Sequence, residues 1–337
     1  MIIRSKVPFR ISFGGGGTDT LPYCSDYGGV VLSTSIDKYA YVSLKLNNSK
    51  KINVTSIDYD LNKTFNLGNL PYDGNLDLFK AVNNEFKPNT GFNLIMHSDM
   101  PPGSGMGTSS SMTAALIGCL AEFSLKKMSR EKIAKLAYHI ERVELDEKGG
   151  YQDQYAAVFG GFNFMEFSKE DVVVNPLNLS QSTLNELHYH LLLFYIGNSR
   201  LSSDIHKDMA KQYNIQDNYL ERLHKLKYIA KKMKVCLTEK NLDGFGELLH
   251  DGWIAKRELS EKITTSKIDK LYDIARKNGG IGGKTLGAGG GGYLLIFCKP
   301  KNKFDLVKKL SKYGAIFVPF NFESNGLHTW RNKHGSF

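Results

Sequence analysis

Apolar and polar positions alternate from the start of the chain. Residues 2–13 carry a period-two pattern that predicts a strand. Residues 29–46 repeat it with Val30, Val31, Leu32, Ile36, Tyr39, Tyr41, Val42 and Leu44, a set rich in β-branched and aromatic side chains. Helical spacing follows at 76–86, then a strand at Phe92–His97. A Pro/Gly/Ser loop at 99–107 leads into an apolar helix predicted over 108–126. A second helix is predicted over 130–146, with Ile133, Leu136, Ala137, Ile140 and Val143 on one face. Residues 160–175 return to strand. The second half reads as a strand at 188–196, helices at 203–235, 239–259 and 265–277, a strand at Tyr293–Phe297, a helix at 302–312 and a strand at 315–320. Strands and helices mixed without strict alternation predict an α+β fold, not a doubly wound sheet. A boundary near 180–187 divides the chain into 1–183 and 184–337.

No stretch approaches the roughly 18 uncharged apolar residues of a membrane span, and His190–Gly197 reads as a buried strand. The N-terminus enters its strand pattern at once, without the basic head and long apolar middle of a signal peptide. Neither a membrane partner nor export is expected. Cys24, Cys119, Cys236 and Cys298 are scattered, with no metal-ligand spacing, which fits reduced thiols in the cytoplasm. The net charge of +10 suits either a nucleic-acid surface or anionic small substrates. The densest basic run, Arg222 to Lys234, is interleaved with Leu223, Leu226, Ile229, Ala230 and Met233 at helical spacing. It reads as the solvated face of an amphipathic helix. No recognised nucleic-acid module accompanies it, so no nucleic-acid partner is expected.

Glycines gather at three places: Gly14–Gly17, Gly103 to Gly107, and Gly287 to Gly292. Glycine permits positive φ and close approach of backbone to a ligand, and three separated clusters suggest the walls of one site. The middle one runs straight into a predicted helix. Free amides at a helix N-terminus bind phosphate, and the preceding glycines let the backbone curl into an anion nest. Known phosphate loops of other kinds do not fit. Asn278 stands where a Walker A loop needs its first glycine, and Gly287, Gly289 and Gly292 precede a strand instead of opening a helix.

The segment Pro101 to Ser110 resembles the motif P-x-x-G-x-G-x-[GST]-S-S of the GHMP kinases. Pro8 to Asp19 resembles the first motif of that class in its sugar-kinase form, and Lys284 to Gly292 resembles the third. The order and spacing match, and the resemblance covers nearly the whole chain. Within the class, the Phe13–Asp19 segment and Gly150 to Ala157 look most like the heptose-phosphate kinase branch, and fucokinase domains carry similar elements. The resemblance implies an N-terminal α+β domain with a left-handed βαβ crossover, a C-terminal ferredoxin-like domain, and ATP, Mg²⁺ and a sugar phosphate bound between them. Self-association as a homodimer is left open. The rivals are another sugar-1-kinase such as a fucokinase, a decarboxylase on the same scaffold, and a non-catalytic regulatory or nucleic-acid-binding descendant.

Residue by residue, the resemblance makes Asp153 the base or acceptor-positioning group and Arg10 its basic partner. It makes Pro102, Gly103, Ser104, Gly105, Met106, Gly107, Thr108, Ser109 and Ser110 the nucleotide cradle. Ser109 and Glu141 are the expected Mg²⁺ ligands, with Glu144 the alternative to Glu141. Thr18 and Asp19 should meet sugar hydroxyls, and Gly289 and Gly290 should line the reaction centre. A phosphorylated acceptor also needs a cation, for which Arg200 and Lys284 stand at suitable loop and strand positions.

Overall fold

The computed structural model describes residues 1–197, 202–213 and 218–333. The period-two opening forms β1 (Ile2–Gly14), and after a short helix α1 (Tyr23–Tyr27) the chain returns as the long strand β2 (Gly29–Leu46). Next come β3 (Lys51–Ser56), β4 (Leu61–Asn66), α2 (Asp77–Phe86), β5 (Phe92–Ser98) and α3 (Thr108–Phe123). Helix α4 (Arg130–Tyr138) runs on into a π-helical turn, His139–Glu144, and is followed by α5 (Gln152–Phe159), β6 (Phe162–Phe167) and β7 (Val172–Pro176). The second half contains α6 (Gln181–His190), β8 (Leu191–Gly197), α7 (Ser202–Tyr213), α8 (Tyr219–Thr238), α9 (Leu242–Arg257) and α10 (Ser266–Lys277). It closes with β9 (Gly280–Thr285), β10 (Gly292–Cys298), α11 (Lys303–Ser311), β11 (Ile316–Phe317), β12 (Phe322–Glu323) and β13 (His328–Asn332).

Two sheets carry the fold. In the first, the strands run β13-β1-β2-β5-β3-β4, with β6, β7 and β12 attached along β2. Strands β3 and β5 pair in parallel, while the other ladders of this sheet are antiparallel. The second sheet is antiparallel in the order β11-β8-β10-β9, the ferredoxin-like arrangement. The mixture is an α+β fold. Residues 322–332, grouped above with the second unit, return to pair with β2 and β1, so the division at 183/184 does not follow the sheets.

Helix α3 is apolar on every side and lies buried from Ser110 to Ala121, as a helix covered all round must be. It packs on β1, where Ser5 donates to the Ala115 carbonyl at 2.6 Å. This anchors the middle of the helix to the start of β1, and Ser111 Oγ on the Pro8 carbonyl holds its first turn farther along the strand. On the other side, α8 and α9 close over β1 and β2. Phe13 meets Phe245 edge-on at 5.3 Å, and the fully buried Trp253 locks α9 in place. Each such side chain contributes about 1.5–3 kcal/mol by burial. The ends of β1, α3 and α5 thereby converge under α9 and the loop before β10.

Some predicted elements differ from those observed. The helix expected over 130–146 changes to a π turn at His139. The strand at 160–175 is a hairpin, β6 and β7. Helix α6 occupies the stretch that read as a boundary. The strand at 315–320 shortens to two paired residues.

Candidate functional site

The loop before α3 has the alternating backbone of an anion nest: Gly103, Gly105 and Gly107 have φ of 72°, 78° and 75°. Gly107 caps α3 without any side-chain hydrogen bond, which leaves the first-turn amides available. Ser104 Oγ is buried without a partner. Open amides, an unsatisfied hydroxyl and a helix dipole fit a chain of phosphates. The cradle is braced by Arg10 N–H on the Met106 carbonyl at 3.2 Å and by Ser111 Oγ on the Pro8 carbonyl at 2.9 Å. Thr108 and Ser109 are partly exposed at the mouth of the helix.

The second and third glycine clusters meet backbone to backbone. A Cβ on Gly105 would stand 2.5 Å from the Leu286 carbonyl oxygen, and one on Gly292 would stand 2.2 Å from that of Ser104. Gly105→Ala is therefore expected to cost about 2 kcal/mol of stability from strain at positive φ and to raise the KM for ATP. Thermal unfolding and ATP titration of turnover check it. An unchanged midpoint and KM would contradict the close approach.

Asp153 sits in the first turn of α5 and stands against this loop: a Cβ on Gly107 would be 3.5 Å from its carboxyl carbon. Arg10, 2% exposed on β1, donates from Nε to Asp153 Oδ1 at 2.8 Å, and its Nη2 lies 2.7 Å from the same oxygen. Nη1 donates to the Gly105 carbonyl at 2.7 Å. The guanidinium thus ties Asp153 to the glycine loop before α3. Asp153 Oδ2 has no hydrogen-bond partner among the described residues.

Glu141 is fully buried. The π turn aims it at α3, where its carboxylate accepts from Ser110 Oγ at 2.7 Å, from Thr113 Oγ1 at 3.1 Å and from the Gln154 amide. Glu144 instead accepts from the Tyr72 hydroxyl at the surface. The structure brings Glu141 to Ser110, the residue after the expected Ser109. A carboxylate and a hydroxyl are the hard oxygen donors that suit Mg²⁺ shared with phosphates.

The expected sugar contacts fare differently. The Thr18 hydroxyl lies inside the protein: it donates toward the Gly15 and Val30 carbonyls and accepts from Val30 N–H at 3.0 Å. It staples the first glycine loop to β2. Asp19 accepts from Gly17 N–H at 3.0 Å and Gln152 N–H at 3.1 Å, joining that loop to the segment bearing Asp153. Burial pushes the Asp19 carboxyl up; these amides oppose the shift and the charge of Asp153 adds to it. Lys284 is 5% exposed and gives its ammonium to the Ser12 and Phe13 carbonyls. Burial, with Lys256 and Arg10 nearby, holds Lys284 well below the usual lysine range. Gly290 N–H is bound to the Ile263 carbonyl at 2.8 Å and Gly289 presses on the same residue, so both shape the wall. Arg200 lies outside the described residues.

One charged group at this centre was not anticipated. Lys256, in the last turn of α9, is buried with its ammonium on the Gly287 carbonyl. A lysine at a helix C-terminus ordinarily complements the dipole from solvent, so its sequence position carries no signal of this.

Residues 75–161 match the family description "GHMP kinases N terminal domain", and residues 233–316 match "GHMP kinases C terminal". A protein of Campylobacter jejuni named D-glycero-alpha-D-manno-heptose 7-phosphate kinase is 37% identical, across 98% of this chain and 99% of its own. The bifunctional fucokinase/GDP-fucose pyrophosphorylase of Arabidopsis thaliana is 28% identical over 94% of this chain, which spans 32% of that protein. A crystal structure from Bacteroides thetaiotaomicron, described as a D-glycero-D-manno-heptose 1-phosphate kinase, superposes with a TM-score of 0.84 at 31% identity. That superposition covers 98% of this chain and 100% of the other.

Proposed function

Because the chain belongs to the GHMP kinase family, we propose that it phosphorylates the anomeric hydroxyl of D-glycero-D-manno-heptose 7-phosphate to give the 1,7-bisphosphate. That it is a sugar kinase with ATP as donor follows from the family. The acceptor and the position of attack are our reading. The observation that carries it is the placement of the Arg10–Asp153 pair against the glycine cradle, which sets a proton acceptor beside the place where a terminal phosphate would lie.

Arg10 holds Oδ1 of Asp153 and leaves Oδ2 for the sugar hydroxyl. As the hydroxyl oxygen bonds to the γ-phosphorus, its proton passes to Asp153 and the bond to the ADP oxygen breaks. The α3 amides and Arg10 face the charge on the phosphoryl oxygens. Ser110 and Glu141 would hold Mg²⁺, with Ser109 at the same helix mouth. The ion supplies charge neutralisation on the phosphates. Glu141→Gln is expected to raise the Mg²⁺ concentration for half-maximal turnover about tenfold, and Glu144→Gln to leave it unchanged. Equal effects in a Mg²⁺ titration would remove Glu141 from the metal.

Asp19 and the glycine loop around it form the acceptor side of the cleft. Arg200 is our candidate for the acceptor's own phosphate. No helix among the described residues is long and apolar enough to cross a membrane, and we place the enzyme in the cytoplasm, feeding nucleotide-activated heptose and surface polysaccharide synthesis. A coupled ADP assay with heptose 7-phosphate, fucose and galactose tests the reading. Turnover is expected with the first, and preference for fucose or galactose would replace it with another sugar-1-kinase. Arg200→Ala should lower kcat/KM for heptose 7-phosphate but not for unphosphorylated heptose.

A further inference from the structure

The ammonium of Lys256 has three N–H donors and, among the described residues, a single hydrogen-bond acceptor, the Gly287 carbonyl. The residue is 6% exposed, so two donors have little access to water and no acceptor among the described residues, a costly state for a charged group. Lys284, the neighbouring buried lysine, has two carbonyls instead.

The connection onward is short. Gly287 lies so near Gly105 that a Cβ on it would stand 2.6 Å from Gly105 Cα. The Gly105 carbonyl accepts from Arg10, and Arg10 holds Asp153. Lys256 acts on the buried Lys284 of β9, and the charges that act on Lys256 itself are Arg10 on β1, Asp19 in the first glycine loop and Asp153 on α5. These are the groups of the proposed transfer site, approached from the second sheet's side.

We propose that Lys256 is a second cation of the phosphoryl-transfer site, resting on the Gly287 carbonyl and turning its unpaired N–H donors to the phosphoryl group as it passes from ATP to the sugar. Its proton stays on nitrogen throughout. The P–O bond to ADP breaks, the bond to the acceptor oxygen forms, and the acceptor's proton goes to Asp153. Burial brings the Lys256 ammonium down to about 8; the charge of Arg10 adds to this, and Asp19 and Asp153 oppose it. The cation is therefore present below that pH and lost above it, unless a bound phosphate raises the value.

This inference rests on the kinase reading above, and two measurements separate the two. In the first, Lys256 of the full-length wild type is acylated across pH 7–10 and quantified by mass spectrometry, with and without a non-hydrolysable ATP analogue. No acceptor is involved. The analogue is expected to protect Lys256 and move its apparent pKa upward; an identical profile with and without nucleotide overturns the proposal, whatever sugar the enzyme uses. In the second, turnover is compared for wild type, Lys256→Met and Lys256→Arg on the best acceptor. Lys256→Met should lose about tenfold or more in kcat with little change in the KM for ATP. Lys256→Arg should recover most of it and should lack the alkaline fall in kcat/KM for ATP that is expected of the wild type from a Lys256 pKa of about 8 in the free enzyme. Full activity of Lys256→Met, or the same alkaline fall in a folded Lys256→Arg, overturns the proposal. Failure of heptose 7-phosphate as a substrate would instead count against the acceptor reading, while the acylation result still decides the role of Lys256.

Discussion

Asp153→Asn is expected to lower kcat by about 10²–10⁴-fold, the usual loss when a positioned base is removed, with nucleotide affinity nearly unchanged. The amide has the shape of the carboxylate and can still accept from Arg10 through its oxygen, so the cradle bonds to Gly105 and Met106 survive. What disappears is the atom that takes the proton. Single-turnover ADP release, paired with calorimetric titration of a non-hydrolysable ATP analogue, separates chemistry from binding. A variant that binds the analogue and turns over near the wild-type rate would remove Asp153 from the chemistry.

Arg10→Met should be nearly as damaging, by about 10²–10³-fold in kcat, and should also destabilise the fold by about 3 kcal/mol. The two losses have one cause. Arg10 is 2% exposed and serves two partners at once, the Asp153 carboxylate and the Gly105 carbonyl. Removing it leaves the Asp153 carboxylate without its hydrogen-bonded counter-charge and the glycine loop with one brace fewer. Arg10→Lys keeps the charge but cannot fork to both partners, so it should restore stability better than rate. Urea unfolding and kcat measured on the same preparations test this. An Arg10→Met protein with wild-type stability and more than a tenth of wild-type turnover would contradict the geometry.

The parts of this site that were legible in the sequence are those whose chemistry demands a local pattern. Gly103, Gly105 and Gly107 announce a curled backbone because few other residues tolerate their φ. Strands β1 and β2 are legible from their β-branched and aromatic residues, which suit their place inside the first sheet. Arg10 and Asp153 were readable through motif resemblance, and the structure adds the bond between them. Long-range packing was not legible. Thr18 and Lys284 look like free polar groups in a one-dimensional reading. Only the return of β2 beside the first glycine loop, and of β9 beneath β1, turns them inward to backbone carbonyls. Lys256 looks like any helix-end lysine until α9 is laid across the cleft. Which of Glu141 and Glu144 faces α3 depends on a π turn, a one-residue change of phase that no periodicity announces. Strands β12 and β13 rejoin the first sheet across nearly the whole length of the chain, a pairing that local pattern cannot encode.

All of these roles assume that phosphate lies in the curl ahead of α3. The most direct test is a crystal structure with a non-hydrolysable ATP analogue. The β- and γ-phosphates should rest on the backbone amides between Gly105 and Ser110, with the γ-phosphate facing Asp153. A triphosphate bound elsewhere, with those amides facing only solvent, would contradict the account.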